Sequence, residues 1–182
     1  MTEKTLFDED LTLEEAEELI KNGADVNKKI QHGYTPLFYM RNIHIIQLLI
    51  KHGADINAQT TLGNSPLHTA YSIEIITLLI ANGALLNQRN CYGESVLDYQ
   101  NQMYTINKIK KIEYLIKIGA ITGYVENYKF YRHLFTKEQQ KAFDDFASIT
   151  SNDDDFFAMC LAYQEGMMNN ISHEIKDVEL DI

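Results

Sequence analysis

The sequence predicts an all-α fold: a solenoid of stacked helix-turn-helix units with hairpin loops, closed by a helical C-terminal cap. Three observations carry this. Gly23-Ala24-Asp25-Val26-Asn27 returns as Gly53-Ala54-Asp55-Ile56-Asn57 and, weakened, as Gly83-Ala84-Leu85-Leu86-Asn87, a step of 30 residues each time. A second mark keeps that step: Gly33-Tyr34-Thr35-Pro36-Leu37, Gly63-Asn64-Ser65-Pro66-Leu67 and Gly93-Glu94-Ser95-Val96-Leu97. Between the marks lie apolar residues at helical spacing, first Ile43, Ile45, Ile46, Leu48, Leu49 and Ile50, then Ile73, Ile75, Ile76, Leu78, Leu79 and Ile80. A copied unit of this length cannot bury its apolar face alone, so it stacks on its neighbours and leaves a long surface for another macromolecule.

At the N-terminus, Thr12-Leu13-Glu14-Glu15 has capping-box spacing ahead of Leu19 and Ile20. The acids Glu14, Glu15, Glu17 and Glu18 gather in the first turns, where the helix dipole favours them. Residues 1–27 therefore read as the second helix of an incomplete first unit, with Leu6, Phe7 and Leu11 over the open end. In the second unit, about 28–57, Thr35 is expected to cap a short helix that Pro36 opens at no cost in hydrogen bonds, with Leu37 facing inward. The Ile43–Ile50 helix follows, and Gly53 ends it in the left-handed conformation that favours glycine. The third unit, about 58–87, repeats this with Ser65-Pro66-Leu67-His68 and Gly83. In the fourth, about 88–120, the next closing glycine is Gly119, 26 residues after Gly93 instead of 20. An insertion around Gln100 to Asn107 is thus expected to bulge from the turn between its helices.

Residues 121–182 have a different texture and read as a helical cap on the last unit. Tyr124, Tyr128, Phe130, Tyr131, His133, Leu134 and Phe135 form an aromatic cluster. Thr136-Lys137-Glu138-Gln139 caps a helix carrying Ala142, Phe143, Phe146 and Ile149, and Ser151 to Asp155 opens another with Phe156, Phe157, Cys160 and Leu161. The polar tail from Asn169 is expected to fray or to end in a short helix.

The middle of the chain resembles the ankyrin-repeat family, through Thr35-Pro36-Leu37-Phe38, Ser65-Pro66-Leu67-His68 and the two complete Gly-Ala-Asp-(Val/Ile)-Asn strings. The resemblance spans roughly residues 5–120, which would form an ankyrin-repeat domain over 1–120. The units depart from the family's usual length of about 33 residues; the shortening falls between the helices, so that turn is expected to be tighter. Phe38 stands where the family has His, and Ser95-Val96-Leu97-Asp98 has lost both Pro and His. The resemblance implies that His68 hydrogen-bonds neighbouring loops. It also implies contact with a protein partner at the loop tips and first helices. Residue by residue, those tips are Gln31, His32 and Tyr34; Thr61, Leu62 and Asn64; Cys91, Tyr92 and Glu94. The first helices contribute Tyr39, Met40 and Arg41, then Thr69 and Tyr71, then Tyr99. Tyrosine offers large contact area at small entropic cost, which singles out Tyr34, Tyr39, Tyr71, Tyr92 and Tyr99.

Composition narrows the functional classes. With 45% hydrophobic residues the chain affords a core, and no run approaches the roughly 18 apolar residues of a membrane span. The start of the chain lacks the apolar region of a secretory signal, and Cys91 and Cys160 read as free thiols of a cytoplasmic protein. The formal net charge is −10, laid out as −7 over residues 1–27, +4 over 28–120 and −7 over 121–182. Such a chain repels nucleic acid and suits a basic protein partner. None of the six histidines stands in a zinc or His-Glu-x-x-His spacing, no glycine-rich phosphate loop is present, and Asp153-Asp154-Asp155 reads as a helix start. The sequence therefore predicts a non-enzymatic, cofactor-free, monomeric binding protein that masks or inhibits a protein, with a bacterial toxin-neutralising immunity protein as the favoured case. The alternative is an ankyrin scaffold or secreted effector engaging host proteins.

Overall fold

The computed structural model describes residues 4–103 and 107–178, with side chains as far as residue 166. Four helices of similar length set the period: α1 (Leu13–Lys21), α2 (Ile43–Lys51), α4 (Ile73–Ala81) and α6 (Lys108–Lys117). A short helical piece precedes each of the last three. These are a 3-10 turn at Pro36–Phe38, then α3 (Pro66–Thr69) and α5 (Val96–Gln102). Beyond them come α7 (Val125–Tyr131), a 3-10 turn at Arg132–Leu134, α8 (Lys137–Ile149) and α9 (Asp153–Val178). Among the described residues there is no β-strand; the expected hairpin loops are tight turns. α1 packs on α2, α2 on α4, α3 on α5, α5 on α6 and α8 on α9.

The apolar stripes meet along the stacking direction. Ile45, Ile46, Leu49, Leu67, Ile76, Leu79, Leu97, Ile112 and Leu115 are all but sealed from solvent, and Tyr128, Phe143 and Phe156 carry the same core on into the C-terminal helices. Thr12 and Glu15 form the expected capping box, as do Thr136 and Gln139. Thr35 departs from expectation. Its hydroxyl caps nothing and is buried without a partner among the described residues. In the third and fourth units His68 and Asp98 reciprocate the cap to Ser65 and Ser95; Phe38 has no polar atom with which to do so.

The insertion in the fourth unit also differs. Gln100 does not bulge; it lies inside the lengthened helix α5 and is 1% exposed. Its Nε2 donates to the His68 carbonyl at 2.7 Å and the Ala70 carbonyl at 3.0 Å, while its Oε1 accepts from Lys111 Nζ at 2.7 Å. The remainder of the insertion, 104–106, lies outside the described residues. In the tail, α9 runs on through Asn169 to Val178 as one continuous helix, where fraying or a short terminal helix was expected.

Two sets of hydrogen bonds sew the units together. The asparagine closing each repeated string bridges to the next unit. Asn27 Nδ2 donates to the Gly53 carbonyl at 2.8 Å, and Asn27 Oδ1 accepts from the Asp55 amide at 2.7 Å. Asn57 treats Gly83 and Leu85 alike, both at 3.0 Å. Asn87 does the same for Gly119 and Ile121, at 3.2 and 3.0 Å, so the register is recovered after the insertion. The loop turns form the second set, with the Thr61 amide donating to the His32 carbonyl and the Cys91 amide to the Leu62 carbonyl, each at 2.9 Å.

This close approach explains one glycine. Gly63 has φ +76°, and a Cβ there would sit 3.1 Å from the Cys91 nitrogen and 3.2 Å from Asn90 Cα. Gly53 has φ +83° with nothing within 4 Å of such a Cβ. Gly53→Ala is expected to cost about 1 kcal/mol from backbone strain alone, and Gly63→Ala roughly 2–3 kcal/mol because crowding adds to it. Urea unfolding of the two variants measures the difference, and equal losses would show that the neighbouring loop yields freely.

Asp98 forms the joint to the C-terminal helices. It is 1% exposed and accepts from the Ser95 amide and hydroxyl, the Thr122 hydroxyl, the Gly123 amide at 2.6 Å and Asn127 Nδ2 at 2.7 Å. Arg89 adds a second tie, donating to Asp154 at 2.7 Å with its guanidinium 4.7 Å from the centre of the Phe157 ring. Asp153 accepts from the Val125 amide at 2.9 Å. Two members of the aspartate triplet thus serve to seat α9.

Candidate partner-binding face

Because the loop turns are tied backbone to backbone, their tips stand in a row. Gln31 and His32, then Thr61 and Leu62, then Cys91 and Tyr92 are all exposed. Leu62 is 42% and Tyr92 64% exposed, high values for side chains of their size. Asn64 does not belong to this row. It is 3% exposed, and its Oδ1 accepts from Asn90 Nδ2 at 2.9 Å. Asn90 is the organising residue the sequence reading missed: its Oδ1 also accepts from the Tyr92 and Glu94 amides, which shapes the third tip. An asparagine bonding the amide two residues ahead is a familiar turn device, and its place just before Cys91-Tyr92-Gly93 was the available signal. Glu94 is half-buried, with its carboxylate held by Asn90 and Gln102.

The tyrosines divide. Tyr34 and Tyr39 are half-buried and pack edge-on in a chain, Phe7 to Tyr39 at 5.8 Å, Tyr39 to Tyr34 at 5.8 Å and Tyr34 to Phe38 at 5.3 Å. Tyr99 is half-buried with its ring edge-on to His68. These three spend much of their area inside the protein. Tyr71 and Tyr92 project. Arg41 lies over the Tyr71 ring, 4.8 Å from its centre, and Glu9 stands 3.6 Å from the guanidinium. Met40 is buried, so it lies beneath the surface rather than on it. Thr69 is half-buried, its hydroxyl donating to the Pro66 carbonyl. Leu37, Met40, Arg41, Pro66, Thr69 and Tyr71 help line a cleft of about 230 Å³ between the second and third units.

His68 is completely buried, and burial, the dominant influence, lowers its pKa; the Glu94 and Gln88 backbone and the Glu94 and Asp98 carboxylates oppose this. Its Nδ1 pairs with Ser65, while Nε2 has no hydrogen-bond partner among the described residues. The neighbouring loop does approach the ring as expected, through the Glu94 and Gln88 backbone, though not at full hydrogen-bond geometry.

Stacked units of one long and one short helix, with glycine-closed ends and turns in a row, are what a comparison with protein families also finds: residues 9–90 match the model described as ankyrin repeats, in three copies. Residues 9–90 are ankyrin repeats. Comparison with curated proteins gives no match. The ankyrin match ends at residue 90, at the very start of the fourth unit, whose Val96 and Asp98 replace the proline and histidine of the third. Ankyrin repeats are a non-catalytic scaffold for binding proteins, and none of the described helices is long and apolar enough to cross a membrane.

Proposed function

We propose that the ankyrin array grips a partner protein with its row of tips and the exposed side of its short helices, masking a working surface of that partner. The observation that carries this reading is the adjacency of exposed Leu62 and Tyr92 on turns joined by a 2.9 Å backbone bond, a rigid apolar pair at the outer edge of the array. Rigid aromatic and aliphatic groups held in place before binding lose little freedom on contact. Gln31, His32, Arg41, Thr61, Tyr71, Cys91 and Glu94 extend the contact around the pair, with Tyr34, Tyr39 and Tyr99 contributing edges. The specific form we favour is a cytoplasmic immunity-type protein that neutralises a toxin by covering it.

Immobilised intact protein is expected to retain its partner from an extract of the native organism, and Leu62→Ala/Tyr71→Ala/Tyr92→Ala to retain about tenfold less or lower still. Equal capture by the triple variant places the contact elsewhere. Expression of the captured partner in a test host decides the toxin case: growth arrest relieved by the intact chain, and not by the triple variant, supports it. A partner without effect on growth refutes it.

A further inference from the structure

We propose that the partner segment entering the cleft between the second and third units is acidic and carries an apolar anchor, with Arg41 receiving its carboxylate. This rests on the face described under the proposed function and runs against what the net charge of −10 implies. Most of the acids lie away from the contact, Glu9 beside Arg41 being the exception. Glu14, Glu17 and Glu18 lie along α1, and many of the remaining acids lie beyond residue 120, where Asp144 and Asp154 are paired with Arg132 and Arg89. On the arm leading to the first tip and on the short-helix side, Lys28, Lys29 and Arg41 are exposed, and the exposed Glu9 stands against them beside Arg41. The one acid at the tips, Glu94, already accepts from two side chains. Three cations against one loosely held carboxylate still leave the local sign positive on a negative molecule.

Arg41 is built to use it. Stacking on Tyr71 fixes the plane of the guanidinium and leaves its N–H edge open, the geometry that takes a carboxylate two-pronged. A carboxylate of this same chain already stands nearby: Glu9 lies 3.6 Å away, with both side chains more than half exposed, a loose contact that an incoming acid can displace. Beside it the cleft offers the Tyr71 ring, the Leu37 and Pro66 walls and about 230 Å³, room for one medium apolar side chain.

A random peptide library displayed on phage, selected on the full-length protein, supplies the probe, and the enriched peptides are then synthesised and titrated by fluorescence anisotropy. The expected peptides join Asp or Glu to Leu, Met or Phe. They bind about tenfold more weakly to Arg41→Glu, bind Arg41→Lys with intermediate strength, and weaken as salt rises. Circular dichroism of both variants confirms the fold before titration. Enrichment of basic peptides, equal binding of acidic ones to Arg41→Glu, or no enrichment at all overturns the inference. Basic peptides that lose affinity for Leu62→Ala/Tyr92→Ala would overturn it and leave the proposed face standing. Peptides indifferent to every one of these substitutions would remove both.

Discussion

Asp98→Ala is expected to destabilise the protein by about 3–5 kcal/mol, because it strands several buried donors at once. The Ser95 amide and hydroxyl, the Thr122 hydroxyl, the Gly123 amide and Asn127 Nδ2 all converge on this one carboxylate, which is 1% exposed. Asp98→Asn keeps a single acceptor oxygen and sets an NH₂ against donors, so it recovers only part of the loss. Urea unfolding gives the magnitude, and native-state hydrogen exchange gives the place. The Gly123 and Tyr128 amides are expected to lose protection before those of Ile76 or Leu79. A loss below about 1 kcal/mol, or uniform loss of protection, would mean that Asp98 is not the joint between the fourth unit and the C-terminal helices.

Gln100→Leu is the second large expectation, about 3–4 kcal/mol. The substitution takes the donor away from the His68 and Ala70 carbonyls and the acceptor away from the buried Lys111 ammonium. The second part is separable. Burial already holds the Lys111 pKa below its ordinary value, so between that lowered value and about 10.4 the folded protein binds fewer protons than the unfolded chain, and stability rises with pH. Loss of Gln100 lowers the folded value further and widens that window. The deficit of Gln100→Leu relative to the parent is therefore expected to shrink from pH 7 to pH 9.5. Adding Lys111→Met, which removes the charge, is expected to restore part of the stability at pH 7. A deficit independent of pH and unrelieved by the second substitution would place the cost in packing alone.

The repeat and its helices were legible because two short strings recur in register and because glycine, proline and spaced Ile and Leu each fix a local geometry. What the sequence could not supply were contacts between units whose residues carry no period. Tyr34 and Tyr39 have the composition of hot-spot residues, yet Phe7, from a first unit with no such string at its start, packs on Tyr39, which in turn packs on Tyr34. Tyr71 and Tyr92 look no different in the sequence and project. Asn64 reads as a tip residue until Asn90, in the next unit, turns inward to meet it. Gln100 sits in what the spacing marks as an insertion, where a loop is the natural expectation; the carbonyls that draw it inward belong to the preceding unit. The asparagine bridges were within reach, since Asn27, Asn57 and Asn87 keep the period, but their purpose depends on the distance between units.

Those bridges give the array a direction. Every seam is closed by a carboxamide from the earlier unit reaching forward, and after Ile121 the corresponding place, four residues past Gly119, is Gly123, which has no side chain to offer. Residues 58–87 could be duplicated in place and each new seam would find its asparagine waiting. A unit spliced in after residue 120 would find none, so lengthening of this molecule by gene duplication is open within the body and barred at its far end.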